Sequence, residues 1–86
     1  LDVRTYNEFV RGHIRGSIHI PLDELRDRID EIPESQILIV SKAGFEGHLA
    51  YRQLVNRRSG TTKYISGGFT SIQLIKEFNE LIEEGE

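Results

Sequence analysis

The chain has 86 residues and no Cys, Met or Trp, which allows one small domain without a disulfide, a thiolate metal site or a cysteine nucleophile. Lys and Arg number 11 against 14 Asp and Glu, a net charge of -3, which argues against nucleic acid or an anionic membrane as an electrostatic partner. No apolar run approaches the roughly 20 residues of a membrane span and no signal-peptide pattern opens the chain, so a cytoplasmic location is expected.

Taken in order, Leu1-Asp2-Val3-Arg4 reads as the tail of a strand whose earlier part is missing. With no initiating Met, the expectation is one domain over 1–86, its first strand truncated, excised from a longer chain. Thr5, with Glu8 three residues on, predicts a capping box and a short helix to about Val10, with Phe9 and Val10 facing in. Gly12 and Gly16 bracket a turn. Ser17-Ile18-His19-Ile20 predicts a strand ended by Pro21.

Leu22, Leu25, Ile29 and Ile32 recur at intervals of three and four, which predicts an amphipathic helix over 22–32 with Asp23 and Glu24 in its first turn. Ile37-Leu38-Ile39-Val40 is a continuous apolar run that reads as a strand buried on both faces. A loop over 41–47 leads to a helix carrying Leu49, Ala50, Leu54 and Val55, then a strand over 61–65. Ser66-Gly67-Gly68 turns the chain into a last helix with Phe69, Ile72, Ile75, Phe78 and Ile82 inward, ending in the acidic tail 83–86. Strand and helix alternate throughout, the pattern of an α/β sandwich with a mostly parallel sheet.

Ligands in such folds bind at the carboxyl ends of strands. The loop after the most buried strand is therefore the candidate site: Ser41, Lys42, Ala43, Gly44, Phe45, Glu46 and Gly47. Its backbone N–H groups and the following helix N-terminus would cradle an anion, with Gly44 and Gly47 permitting the backbone angles required.

Three segments resemble the rhodanese-like domain family: Asp2-Val3-Arg4 with Glu8-Phe9, the run Gly12-His13-Ile14-Arg15-Gly16-Ser17-Ile18-His19-Ile20-Pro21, and Tyr64-Ile65-Ser66-Gly67-Gly68-Phe69. The resemblance implies a three-layer sandwich, a mostly parallel central sheet flanked by helices on both faces. The active loop of working sulfurtransferases in that family resembles Cys-x-x-Gly-x-Arg. Here Gly44 fits, Ser41 stands where the sulfur-carrying cysteine belongs, and Glu46 stands where the arginine belongs. A hydroxyl cannot carry a persulfide at neutral pH, and a carboxylate repels anionic sulfur donors.

Gly47-His48-Leu49-Ala50-Tyr51-Arg52 resembles the helix start in the C-terminal rhodanese domain of coenzyme A-disulfide reductases. That resemblance implies a parent pyridine nucleotide-disulfide oxidoreductase using FAD and NAD(P)H, with no cofactor in this domain itself. The resulting expectation is a non-catalytic binding or regulatory module whose partners are the parent's reductase domain and a small anion.

Two alternatives stand beside it. One is a sulfurtransferase-related or Ser41-dependent enzyme doing sulfur or phosphoryl chemistry without a thiol, with His48 or Glu46 activating Ser41, although the chain shows no triad signature and Ser41 as a backbone-bonding cap accounts for it more simply. The other is a docking domain using Arg52, Arg57 and Arg58. His13, His19 and His48 lack the i, i+4 spacing of a helical metal pair, so no metal site is expected. His13 is expected to be structural, and Asp2 and Arg4 to pair with neighbours.

Overall fold

The computed structural model describes residues 1–43, 45–65, 67–69 and 82–84. Thr5 caps α1 (Tyr6–Arg11) by the predicted box. Glu8 N donates to the Thr5 hydroxyl at 3.3 Å, and Thr5 N donates to the Glu8 carboxylate at 3.1 Å. Two of the helix's otherwise unpaired backbone donors are thereby satisfied.

The parallel sheet assembles around the first residues of the chain. Asp2 forms parallel bridges to His19 on one side and to Val40 on the other. The supporting bonds run from Asp2 N to Ile18 O at 2.8 Å, Ile20 N to Asp2 O at 3.0 Å, and Val3 N to Val40 O at 2.9 Å. β2 (Ile37–Ile39) pairs in parallel with β3 (Thr62–Tyr64), Ile37 opposite Thr62 and Ile39 opposite Tyr64. The resulting order is 18–20, 1–3, 37–40 and 62–64, with α2 (Phe45–Leu54) crossing between the last two. A parallel connection needs such a crossover.

Four expectations change. The predicted turn after Gly12 begins as a strand: β1 (Gly12–Ile14) pairs antiparallel with β4 (Ile82–Glu84), Ile14 opposite Ile82. Ile82 is therefore in a strand, not a helix, and the helix expected between Phe69 and Ile82 otherwise lies outside the described residues. The predicted helix over 22–32 is two 3₁₀ helices, Leu22–Asp27 and Ile29–Glu31, broken at Arg28. The spacing explains this: Leu22 and Leu25 in the first piece, then Ile29 and the capping Ile32 of the second, lie three apart, the period that a 3₁₀ turn keeps on one line. Arg28 at the break holds both pieces, bonding Glu24 at 3.0 Å and Glu31 at 2.8 Å.

β2 departs from the both-faces reading in part. Ile37 and Ile39 are buried, whereas Leu38 is 40% exposed. Leu38 shares a sheet face with Val40, and the cluster that Phe69, Ile14 and Ile65 build over Val40 does not extend to it. The fourth change is that α2 starts at Phe45, inside the predicted loop. The main core gathers Val3, Ile20, Leu25, Ile32, Ile37, Ile39, Ala50 and Leu54, drawn from the sheet, the first 3₁₀ helix, the residue that caps the second, and α2. Among the described residues no helix is long and apolar enough to cross a membrane.

Candidate functional site

The segment 41–43 leaves β2 at its carboxyl end, as expected for a parallel sheet, and is fixed from two sides by glycine. Gly47 lies in the first turn of α2, and a Cβ there would stand 2.9 Å from the Ser41 hydroxyl. Glycine is thus required at 47 for close approach, not for an unusual backbone angle as the sequence suggested. Gly68 has φ +71°, and a Cβ there would stand 2.6 Å from the Lys42 carbonyl and the Ala43 nitrogen. Phe69 N donates to the Ser41 carbonyl at 2.6 Å. Ser41 is consequently without solvent exposure. A nucleophile must meet its electrophile, so a ligand cannot touch this hydroxyl in the observed arrangement.

The same floor is braced by Asp2 and Arg4, which pair with each other. The Arg4 guanidinium bonds the Asp2 carboxylate at 2.8–3.1 Å and the Gly12 carbonyl at 2.7 Å. It lies 3.8 Å over the Phe69 ring. Both residues are buried, and Arg4 N also donates to Asp2 at 3.0 Å. The network joins the first strand, the 12–14 strand and the residue after Gly68.

The remaining predicted residues divide. Gly44 lies outside the described residues. Lys42 and Ala43 are exposed, and Lys42 Nζ reaches the Glu8 carboxylate at 3.9 Å. Phe45 opens α2 and is 70% exposed. Glu46, the residue standing in the arginine's place, is half-buried. Its Oε2 is closed to solvent and has no hydrogen-bond partner among the described residues, so that oxygen takes no bond from the cradle's donors.

Glu46 instead walls a cleft of about 460 Å³ together with Arg4, Glu8, Leu22, Asp23 and Gln53. Partial burial pushes the Glu8 carboxyl up. The Thr5 backbone N–H and hydroxyl, aided by Lys42 and Arg4, outweigh that and hold it below its ordinary value. Sequence reading missed Glu8, Asp23 and Gln53 as site residues. They come from three separate elements, and no spacing announces that packing brings them to one opening.

The histidines are structural or turned elsewhere. His13 Nδ1 lies 2.9 Å from the Phe9 carbonyl and His19 Nε2 lies 2.8 Å from the Arg4 carbonyl. A carbonyl only accepts, so each of these nitrogens carries a proton. Both rings stack on the Phe9 ring, His13 at 3.9 Å and His19 at 4.4 Å between centroids. His48, the base that a Ser41 enzyme would use, has its Nδ1 3.3 Å from the Tyr64 hydroxyl. In the basic stretch, Arg52 and Arg57 are exposed. Arg58 is not available for docking: its guanidinium bonds the carbonyls of Pro33, Ser35 and Thr61 and the hydroxyl of Thr62.

Residues 1–74 match the profile of the rhodanese-like domain. The chain belongs to the rhodanese-like domain family. Solved structures of similar fold include reduced Bacillus anthracis CoADR-RHD, 41% identical with a TM-score of 0.81, over 94% of this chain and 14% of that one. Another is SSP1007 from Staphylococcus saprophyticus, 26% identical with a TM-score of 0.76, over 96% of this chain and 78% of that one. YrkF of Bacillus subtilis, a candidate sulfur carrier, is 36% identical over 67 residues, 77% of this chain and 35% of its own length. This rhodanese-like chain thus spans only a minor part of two of these relatives. The CoADR-RHD neighbour agrees with the reductase resemblance seen in the residues after the loop.

Proposed function

We propose that this rhodanese-like domain is a non-catalytic binding or regulatory module. The observation that carries the reading is Ser41: it occupies the position that the family resemblance gives to the sulfur-carrying thiol, and it is sealed beneath Gly47 and the backbone around Gly68. Persulfide chemistry needs a thiolate that a donor can reach. Neither requirement is met, and Glu46 sets a carboxylate beside the opening. The burial of Ser41 and the direction of His48 likewise weigh against a serine enzyme.

The module reading extends to a longer chain in which the partner is a flavin-dependent disulfide reductase domain. The likeness to a CoADR-RHD chain, of which this one covers 14%, supports it. FAD and NAD(P)H would bind on the reductase part. No two glycines here stand two apart, so this chain lacks the Gly-x-Gly-x-x-Gly turn of a dinucleotide site and its residues do not fit either cofactor.

The test is thiosulfate:cyanide sulfur transfer by the 86-residue chain. No turnover is expected of the wild type, and detectable persulfide transfer would overturn the module reading. Ser41→Cys alone should give little activity, because the position is closed to a donor in the observed arrangement and Glu46 disfavours the thiolate and repels the donor. Ser41→Cys with Glu46→Arg should exceed it by about tenfold, as replacing a like charge with an opposite one near the reacting group warrants. Equal rates for the single and double variants would show that Glu46 plays no such part.

A further inference from the structure

We infer that the outward face of α2 docks an acidic amphipathic helix of a partner protein. The inference rests on the module reading and names the surface and the partner's chemistry. The sequence reading groups Leu49, Ala50, Leu54 and Val55, but only Ala50 and Leu54 enter the core. Leu49 is half-buried and belongs to neither apolar cluster. Phe45 is 70% exposed and Val55 40% exposed. Val55 still belongs to the helical run, since its N–H donates to the Tyr51 carbonyl at 2.9 Å. At helical spacing Phe45, Leu49, Arg52 and Val55 fall on the side away from the buried Gly47, Ala50 and Leu54. A ridge of this spacing is what a second helix packs against.

Charge on this face selects the partner. The Arg52 side chain is exposed on the ridge and has no ion pair or hydrogen bond among the described residues. Arg57, beyond the end of the helix, is exposed and unpaired in the same sense. The acid of α2, Glu46, turns into the cleft instead. On a chain of net charge -3, this face is therefore cationic. Apolar groups that bracket an unpaired cation complement apolar groups that bracket a carboxylate. A second copy of the face supplies no carboxylate: parallel pairing sets Arg52 on Arg52, and antiparallel pairing of Phe45 with Val55 sets Arg52 beside His48. Nor is the surface the basic run that the sequence offered, since Arg58 is committed to the carbonyls of Pro33, Ser35 and Thr61.

The experiment is an amide chemical-shift titration of the 86-residue chain at fixed ionic strength with a pair of synthetic peptides. Each has about 15 residues, the length at which an isolated helix begins to hold. Both carry Leu at alternating intervals of three and four, flanked by Glu in one peptide and by Lys in the other. Saturable shifts at Phe45, His48, Leu49, Arg52 and Val55 are expected with the Glu peptide at about 1 mM or below, and binding of the Lys peptide about tenfold weaker. Phe45→Ser and Arg52→Glu, both at exposed positions, should each weaken Glu-peptide binding about tenfold. Arg52→Glu should also raise the affinity for the Lys peptide, since the charge preference belongs to that side chain.

Equal binding of the two peptides, no saturable shift, or unchanged binding by both variants overturns the proposal. Shifts at these residues that depend on the chain's own concentration, with no peptide present, make a second copy the occupant and overturn it too. So does binding of phosphatidylglycerol vesicles through this face when neither peptide binds, which would make it a membrane contact. Sulfur transfer is scored separately: turnover with intact peptide binding removes the module reading alone, and absent peptide binding without turnover removes the docking face alone.

Discussion

The floor beneath Ser41 and the cleft beside Glu46 are separated by five residues and are built in opposite ways. At the floor every group is committed. Gly47 and Gly68 press on the loop from two sides, the Ser41 carbonyl takes the Phe69 N–H, and Arg4 bonds Asp2 and Gly12 while lying over Phe69. At the cleft, which shares the buried Arg4 with the floor, the carboxylates are exposed or half-buried and two acceptors have no partner among the described residues. The frame around position 41 is tightly packed although a serine, not the motif's cysteine, stands in it. Packing and reactivity are separable: a glycine contact constrains the size of what stands at 41, not its nucleophilicity.

This contrast predicts that substitutions in the floor cost stability by kcal/mol and those at the cleft by tenths. The largest effect should come from Arg4→Met, which leaves the Asp2 carboxylate buried without its counter-charge at 2.8 Å and frees the Gly12 carbonyl. Breaking a buried pair by removing one partner costs about 3–5 kcal/mol. Urea denaturation monitored by circular dichroism measures it. A loss below about 1 kcal/mol, the scale of an exposed pair, would mean that the network is not the brace described.

Next in size is Gly68→Ala. The added Cβ meets backbone, not a yielding side chain, at 2.6 Å, and φ +71° is strained for any other residue. A loss of about 2–3 kcal/mol is expected. Gly16→Ala sharpens the comparison, because Gly16 also has a positive φ, +81°, but open space around it. It isolates the backbone term, so Gly68→Ala should cost more than Gly16→Ala. Equal losses would show that contact with the loop adds nothing.

What the sequence disclosed follows from how local the signal is. The capping box at Thr5 and Glu8, the parallel sheet implied by alternation, and the packing of Leu25, Ile39 and Leu54 all rest on neighbours within a few residues or on burial pattern alone. The strand at 12–14 was hidden because its partner is seventy residues away, and glycine at both ends of the segment reads as a turn. The 3₁₀ pieces were hidden because 22, 25, 29 and 32 satisfy an α-helical period as well as two three-residue periods joined by a break. Ser41 and Glu46 were legible as departures from a motif. The cleft was not, since Glu8, Asp23 and Gln53 acquire a common role only when α1, the Pro21 turn and α2 meet.

The smallest expected effect tests the cleft side through pH. Glu8 titrates below its ordinary value in the folded chain. A group whose folded pKa is depressed contributes stability above its unfolded value, near about 4.3, and loses it as pH falls through the folded value. Glu8→Gln keeps an oxygen to accept from Thr5 N but removes the charge that Lys42 faces at 3.9 Å. The wild type should therefore exceed the variant by about 0.3–0.5 kcal/mol at pH 7, as for a solvent-facing pair. The gap should close as pH falls below about 4. Denaturation midpoints of both chains between pH 7 and pH 3 give the comparison. A gap that persists unchanged at low pH would assign the effect to shape, not charge. One of several kcal/mol at pH 7 would place Glu8 with the floor and erase the distinction between the two regions.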